Sequence, residues 1–233
     1  MTGTLYGIGL GPGDPELITL KAARLIAAAP VIAYPMLEGG DSFARSIAAD
    51  LIPETAVELP ISIPMTTDRA PAQAAYDTGA GAISAHLADG RDVVVLCEGD
   101  PFFYGSFMYL FSRLSVDHPV EVVPGVTSVT ACAAAVGQPL SARNEVLTIL
   151  PGPLPEAELK ARIEAASSVA IMKVGRHLGK IRRVLDTLGL TDHASYVERA
   201  TLPNQRHAPL TEAPEKAPYF SMILVSRGED PWL

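Results

Sequence analysis

Residues 93–106 read Val93-Val94-Val95-Leu96-Cys97-Glu98-Gly99-Asp100-Pro101-Phe102-Phe103-Tyr104-Gly105-Ser106. The opening residues form an unbroken apolar run. A strand covered on both faces reads this way, whereas a strand with one wet face alternates. The run ends in a turn that carries a glycine, a proline and two carboxylates. In a parallel sheet, ligands collect beyond the carboxyl ends of the strands. Glu98, Gly99 and Asp100 therefore stand where a ligand would sit. Carboxylates at that point suit ribose hydroxyls or a cationic group rather than phosphate. The competing reading is a turn in which Asp100 bonds its own backbone.

On either side of this segment, short β-rich runs alternate with helical patterns. Strands are expected at 4–9, 31–34, 56–59, 93–97, 120–123, 146–150, 169–174, 195–198 and 220–225. Helices are expected at 42–50, 71–88, 105–114, 128–136, 156–166 and 176–188, and one more begins at Asp14. There Asp14 suits the cap, Pro15 the first helical position and Glu16 the positive end of the dipole. Ile18, Ala22, Leu25 and Ala29 continue as an apolar stripe, and Pro30 helps to end it. Such alternation implies an α/β fold with strands under helices. The proline-bearing stretches 59–69 and 202–218 read as long loops. Two α/β lobes, 1–124 and 125–233, fit this pattern best, and a single larger sheet is the alternative.

Composition narrows the function. The chain has 233 residues, of which 48% are hydrophobic and 19% charged, enough for a sizeable core. No apolar run has the roughly 18–20 residues of a membrane span. The opening residues lack the basic and apolar regions of a signal peptide. A net charge of −8 argues against general nucleic-acid binding but permits a local basic pocket for a small anion. Cys97 and Cys132 show no metal-type spacing and read as buried thiols in a reducing, cytoplasmic compartment. No histidine pairs in a ligand pattern, so no metal site is expected.

Two further glycine-rich turns follow strand patterns. Gly7-Ile8-Gly9-Leu10-Gly11-Pro12-Gly13-Asp14 lacks the spacing of the dinucleotide fingerprint, and no phosphate-loop triplet occurs in the chain. It reads either as a tight strand-to-helix turn or as bare backbone brought close to a ligand. Val122-Val123-Pro124-Gly125-Val126-Thr127-Ser128 leads into a small-residue helix, where Thr127 and Ser128 either cap the helix or offer hydroxyls and N–H groups to a ligand.

At these turns the sequence resembles the tetrapyrrole methylases, a family of methyltransferases that use S-adenosylmethionine. The segments GIGLGPGDPELITLKA (7–22), EGDPFFYGS (98–106) and VVPGVTSVTACAAAVGQPL (122–140) are similar to the family's hallmark motifs in order and spacing. The likeness runs on through Met172-Lys173-Val174-Gly175 and Glu198-Arg199-Ala200-Thr201, and so covers nearly the whole chain. Ala33-Tyr34-Pro35, the run 106–110 and Asn144-Glu145-Val146-Leu147 look most like the group that methylates C20 of precorrin-2, giving precorrin-3A in cobalamin biosynthesis. Methylases of cobalt-factor II or of another ring position are the alternative.

The resemblance implies two lobes with cofactor and substrate between them, a homodimer, and S-adenosylhomocysteine as product. Carried across, Pro12, Glu98, Gly99, Asp100, Phe103, Thr127 and Ser128 would line the adenosyl site, with Met172 and Ala200 from the second lobe. The related uroporphyrinogen methylases carry an acidic residue where this chain has Pro35, so no base is expected there. Tyr104, Glu98 and Glu198 are candidates for one. A substrate with many carboxylates calls for cations, and Arg45, Arg143, Lys173, Arg176 and Arg199 lie near expected strand ends or helix starts. A nucleotide-binding oxidoreductase and a non-catalytic binding module are the rival classes.

Overall fold

The computed structural model describes residues 2–64, 66 and 68–227. The chain divides into two compact units, Met1–Thr127 and Ser128–Leu233.

The first unit holds β1 (Leu5–Gly9), α1 (Leu20–Ala27), β2 (Val31–Leu37), α2 (Phe43–Ile47), β3 (Val57–Ile63), α3 (Arg69–Ala88), β4 (Val93–Cys97), α4 (Phe107–Leu114) and β5 (Val120–Val123). Its strands form one parallel sheet in the order β3-β2-β4-β1-β5. Side-chain alternation sends β4 to two cores. Val93, Val95 and Cys97 pack with Tyr76, Ile83, Phe107 and Leu110 of α3 and α4. Val94 and Leu96 pack with Ala22, Ile26, Ala44 and Ile47 of α1 and α2. Every residue of β4 is buried, which accounts for its continuous apolar sequence. Each such side chain contributes roughly 1.5–3 kcal/mol.

The second unit holds α5 (Ser128–Val136), β6 (Leu147–Pro151), α6 (Glu156–Glu164), β7 (Ser168–Met172), α7 (Leu178–Thr187), β8 (Ala194–Glu198), β9 (Arg206–Pro209) and β10 (Ser221–Ser226). Its sheet runs β6-β7-β10-β8-β9. Only β6 and β7 pair in parallel; β10 lies antiparallel between β7 and β8, and β9 closes the edge. Leu159, Ile163, Ile181 and Leu185 of α6 and α7 cover one face, and α5 packs on β8 and β10.

Three expectations change. Asp14 caps only a short 3-10 turn, Pro15–Leu17, accepting from the Glu16 N–H. The α-helix starts afresh after an extended Ile18, where the Thr19 hydroxyl accepts from the Ala22 N–H at 3.2 Å. The supposed loop 59–69 gives its first residues to β3, which accepts Pro60 because it is an edge strand. The stretch 202–218 contains β9, a short exposed edge strand without apolar alternation. Prolines mark all four sheet edges: Pro60 in β3, Pro119 and Pro124 flanking β5, Pro151 in β6 and Pro209 in β9.

Candidate functional site

The turns after β1, β4 and β5 converge, because those strands are neighbours and end on the same side of the sheet. Gly11 and Gly99 exchange backbone bonds: the Gly99 N–H donates to the Gly11 carbonyl at 2.7 Å, and the Gly11 N–H to the Gly99 carbonyl at 3.2 Å. Asp100 latches the third turn. One carboxylate oxygen accepts the Gly125 N–H at 3.0 Å, and the other accepts the Phe102 N–H at 2.9 Å. The self-bonded Asp100 turn is thus present, and it also holds its neighbour.

The glycines have different reasons. A Cβ on Gly125 would lie 2.1 Å from the Gly99 carbonyl oxygen, and one on Gly9 would lie 2.5 Å from the Gly125 nitrogen. Backbone does come close at these positions, but to other backbone. Gly99 is the exception. Its φ of +64° favours glycine, and an added Cβ would meet only the Val126 carbonyl oxygen, at 4.0 Å. Open space there faces a carbonyl and adjoins Glu98.

Glu98 is exposed by surface area, yet protein atoms crowd its carboxyl and push its pKa up, while the Ala44 N–H draws it back. No Arg, Lys or His occurs in 9–14, 97–106 or 122–128. The cluster offers acceptors and no counter-charge for phosphate. That fits a sulfonium cofactor with a ribose diol and an ammonium group, and it disfavours a dinucleotide.

The structure brings Glu98, Gly99, Asp100 and the Pro12 turn together. Pro12 lies between Gly11 and Gly13, both at positive φ. Phe103 is half-buried and meets the ring of exposed Tyr104 edge-on, with centroids 5.3 Å apart. Thr127 ends the first unit and Ser128 opens the second, at the start of α5. Met172 ends β7, and Ala200 follows β8 and is buried. β7 and β8 flank β10 and both run antiparallel to it, so Met172 and Ala200 lie at the same end of the second sheet.

The charged candidates divide. Arg45 forks onto Glu58 at 2.6 and 2.8 Å, and that pairing holds the Glu58 carboxyl below its ordinary pKa. Arg45 is therefore anchored by a carboxylate before any substrate arrives. Glu198 is buried and accepts from the Tyr196 hydroxyl at 2.6 Å and from Arg199 at 3.2 Å. Its two carboxylate oxygens thus each hold one donor. Arg143, Lys173 and Arg176 are exposed.

Sequence reasoning missed one common feature. Tyr104, Arg143, Lys173, Arg199 and Thr201 all have positive φ, between 46° and 71°. Side-chain-bearing residues reach this region at a cost of about 1–2 kcal/mol and concentrate at functional turns. No glycine announces them. Among the described residues, no group of His, Cys, Asp or Glu could hold a metal ion, and no helix is long and apolar enough to cross a membrane.

A family model for Tetrapyrrole (Corrin/Porphyrin) Methylases matches residues 4–214. The precorrin-2 C(20)-methyltransferase of Sinorhizobium sp is 45% identical over 237 residues, spanning 98% of this chain and 97% of that one. The cobalt-precorrin-2 C(20)-methyltransferase of Salmonella typhimurium is 33% identical, spanning 97% and 98%. The uroporphyrin-III C-methyl transferase from Thermus thermophilus, solved in complex with S-adenyl homocysteine, superposes with a TM-score of 0.70 at 30% identity, covering 96% of this chain and 97% of that one. Full-length matches of this kind, on a chain whose three glycine turns interlock as described, carry one conclusion: the chain belongs to the tetrapyrrole methylase family.

Proposed function

We propose that this chain methylates C20 of precorrin-2 with S-adenosylmethionine as donor, releasing S-adenosylhomocysteine and precorrin-3A. The acceptors around Gly99, with no cation in the turns that carry them, support the reading. Glu98, the Val126 carbonyl and the open face of Gly99 suit the donor's hydroxyls and positive charge. Pro12, Phe103, Thr127 and Ser128 belong to the same proposed site, as do Met172 and Ala200 from the second unit.

When bound, S-adenosylmethionine supplies an electrophilic methyl group on sulfur. The chain's own part is to hold the reactants in register, and such positioning can account for roughly 7–11 kcal/mol of a barrier. The interlocked turns give that rigidity. Of the candidates for accepting the released proton, Glu98 and Tyr104 remain, since Glu198 is engaged by Tyr196 and Arg199. Among the cations, Arg143, Lys173 and Arg176 are the substrate-facing part of the proposal, and Arg45 joins them only through donors not held by Glu58.

The metal-free substrate is favoured over its cobalt form by the higher identity to the precorrin-2 enzyme, 45% against 33%. A homodimer and a cytoplasmic location belong to the same reading; the buried free thiols Cys97 and Cys132 suit a reducing compartment. Incubation with methyl-labelled donor and precorrin-2 should place the label at C20. Label at another carbon, or transfer only to the cobalt-bearing ring, would replace this assignment.

A further inference from the structure

Residues 98–107 form an arch with both feet on β1 and the turn that follows it. At the first foot, Gly99 exchanges backbone bonds with Gly11. At the second, the ring of Phe107 lies over Gly7. A Cβ on Gly7 would stand within 2.7 Å of three atoms of that ring, Cδ1, Cε1 and Cζ. Gly7 is an ordinary strand residue without positive φ, so its backbone does not require glycine, whereas the ring above it does. β1 cannot yield to the ring, because Gly7 is paired with Val95 on one side and Val122 on the other. The arch is also closed upon itself: a Cβ on Gly105 would lie 2.6 Å from the carbonyl oxygens of Asp100 and Pro101.

Rings tie the crown of the arch to its second foot. Phe102 meets Phe111 edge-on, with centroids 5.0 Å apart, and meets Phe107 at 6.1 Å. Phe107 and Phe111 meet each other at 6.3 Å. Phe107 is fully buried, whereas Phe102 is 49% exposed and gains only part of the burial of a core phenylalanine. The backbone of Phe102 has a second engagement. Its N–H donates to the Asp100 carboxylate, whose other oxygen accepts the Gly125 N–H. One continuous run of contacts thus joins Gly7 to Phe107, Phe102, Asp100 and Gly125. Close-packed side chains transmit strain, so displacing one link is felt at the next.

We infer that Phe107, seated in the space that Gly7 leaves, is a positioning residue for the donor cradle, setting the Asp100–Gly125 latch through Phe102. The inference rests on the proposed function for the identity of the donor, and adds residues that act from behind the cradle. Phe107 and Phe111 belong to the core beneath α3 and α4, and their effect on the donor passes through the Asp100 carboxylate. A displaced latch moves the Gly99 turn against the Gly125 turn. Loss of packing alone would lower stability and leave that geometry as it was.

The test uses the full chain, with S-adenosylhomocysteine affinity from calorimetry well below the melting range and Tm from a thermal melt. Gly7→Ala should weaken binding about tenfold, equivalent to ~1.4 kcal/mol. Leucine at position 107 lacks the Cε1 and Cζ that the new methyl group would strike. Phe107→Leu should therefore restore part of the lost affinity when combined with Gly7→Ala, and such non-additivity marks direct coupling. Phe102→Leu, at a half-exposed position, should weaken binding about threefold through the lost ring contacts and change Tm little. Leu87→Ala is the control for stability alone. Leu87 is fully buried in the same core but at the amino end of the sheet, where its carbonyl accepts the Gly3 N–H at 2.8 Å. That variant should lower Tm and leave affinity unchanged. Wild-type affinity in Gly7→Ala or Phe102→Leu, additive losses in the double variant, or weakened binding in Leu87→Ala each overturns the inference and leaves the proposed function standing. A wild-type chain that binds no S-adenosylhomocysteine overturns both.

Discussion

The two units present sheet ends of opposite character. In the first, the carboxyl-end turns are made of backbone: glycines pack against glycines, Asp100 fastens N–H groups, and the turn sequences themselves carry no Arg, Lys or His. In the second, the corresponding edge is made of side chains: Lys173, Arg176, Arg199, Tyr219 and Phe220 stand on turns whose residues carry a Cβ despite positive φ at Lys173 and Arg199. Backbone surfaces tolerate little change and suit a ligand of fixed shape, such as a nucleoside. Side-chain surfaces can vary one residue at a time.

The sharpest way to break the contrast is to add a methyl group to each kind of glycine. Gly125→Ala must displace rigid backbone, so it should cost about 3 kcal/mol or more and lower Tm by roughly 6–12 °C in a thermal melt. Gly99→Ala has open space and should cost only the left-handed strain, about 1–2 kcal/mol, yet it should weaken donor binding by more than its stability loss explains. Equal melting losses in the two variants would dissolve the distinction between packing and cradle glycines.

Next in size is the buried anchor of the second unit. Glu198→Ala leaves the Tyr196 hydroxyl buried without its acceptor and should cost roughly 1–3 kcal/mol by denaturant titration. Glu198→Gln restores an acceptor and should recover much of that stability, while leaving Arg199 less firmly held. A neutral Glu198→Ala would show that the edge does not depend on its anchor.

This anchor also shows where the sequence was legible. Glycine motifs announce the first unit's turns because only glycine fits a Cβ-excluding contact, such as Gly125 against Gly99. The fully buried β4 was legible for the same kind of reason, since covering both faces excludes every polar residue. β9 was not: an edge strand ending in Pro209 needs neither alternation nor β-branched residues. The left-handed turns at Lys173 and Arg199 were not, because their strain is stored in ordinary residues. Nor could spacing reveal that Arg45, from α2, would be claimed by Glu58, from β3.

Glu98 gives a smaller and opposite effect. Its pKa is raised in the folded chain, so the folded state holds the proton more tightly than the unfolded one. The stabilising contribution is present at low pH and is lost as pH rises through the raised value. Glu98→Gln should therefore hold or slightly raise the Tm of the ligand-free chain at neutral pH, while weakening binding of the cationic donor. A lower Tm with unchanged donor affinity would assign Glu98 to structure instead.

The smallest change concerns the half-exposed Arg45–Glu58 pair. The Glu58 carboxyl is held below its ordinary pKa by Arg45, so its stabilising part is present above the unfolded carboxylate value, about 4.3, and fades as pH falls through the lower folded value. Glu58→Gln should cost no more than about 1 kcal/mol at neutral pH and flatten the acid limb of the stability curve. If it also lowered KM for the tetrapyrrole, the freed Arg45 would be a substrate contact.

Prolines at all four sheet edges have a consequence for life at high concentration. Each edge has, in the strand or just beside it, a position with no amide to donate, which interrupts the ladder an invading strand would need. Ribbon growth from either sheet is thereby disfavoured at each of its edges.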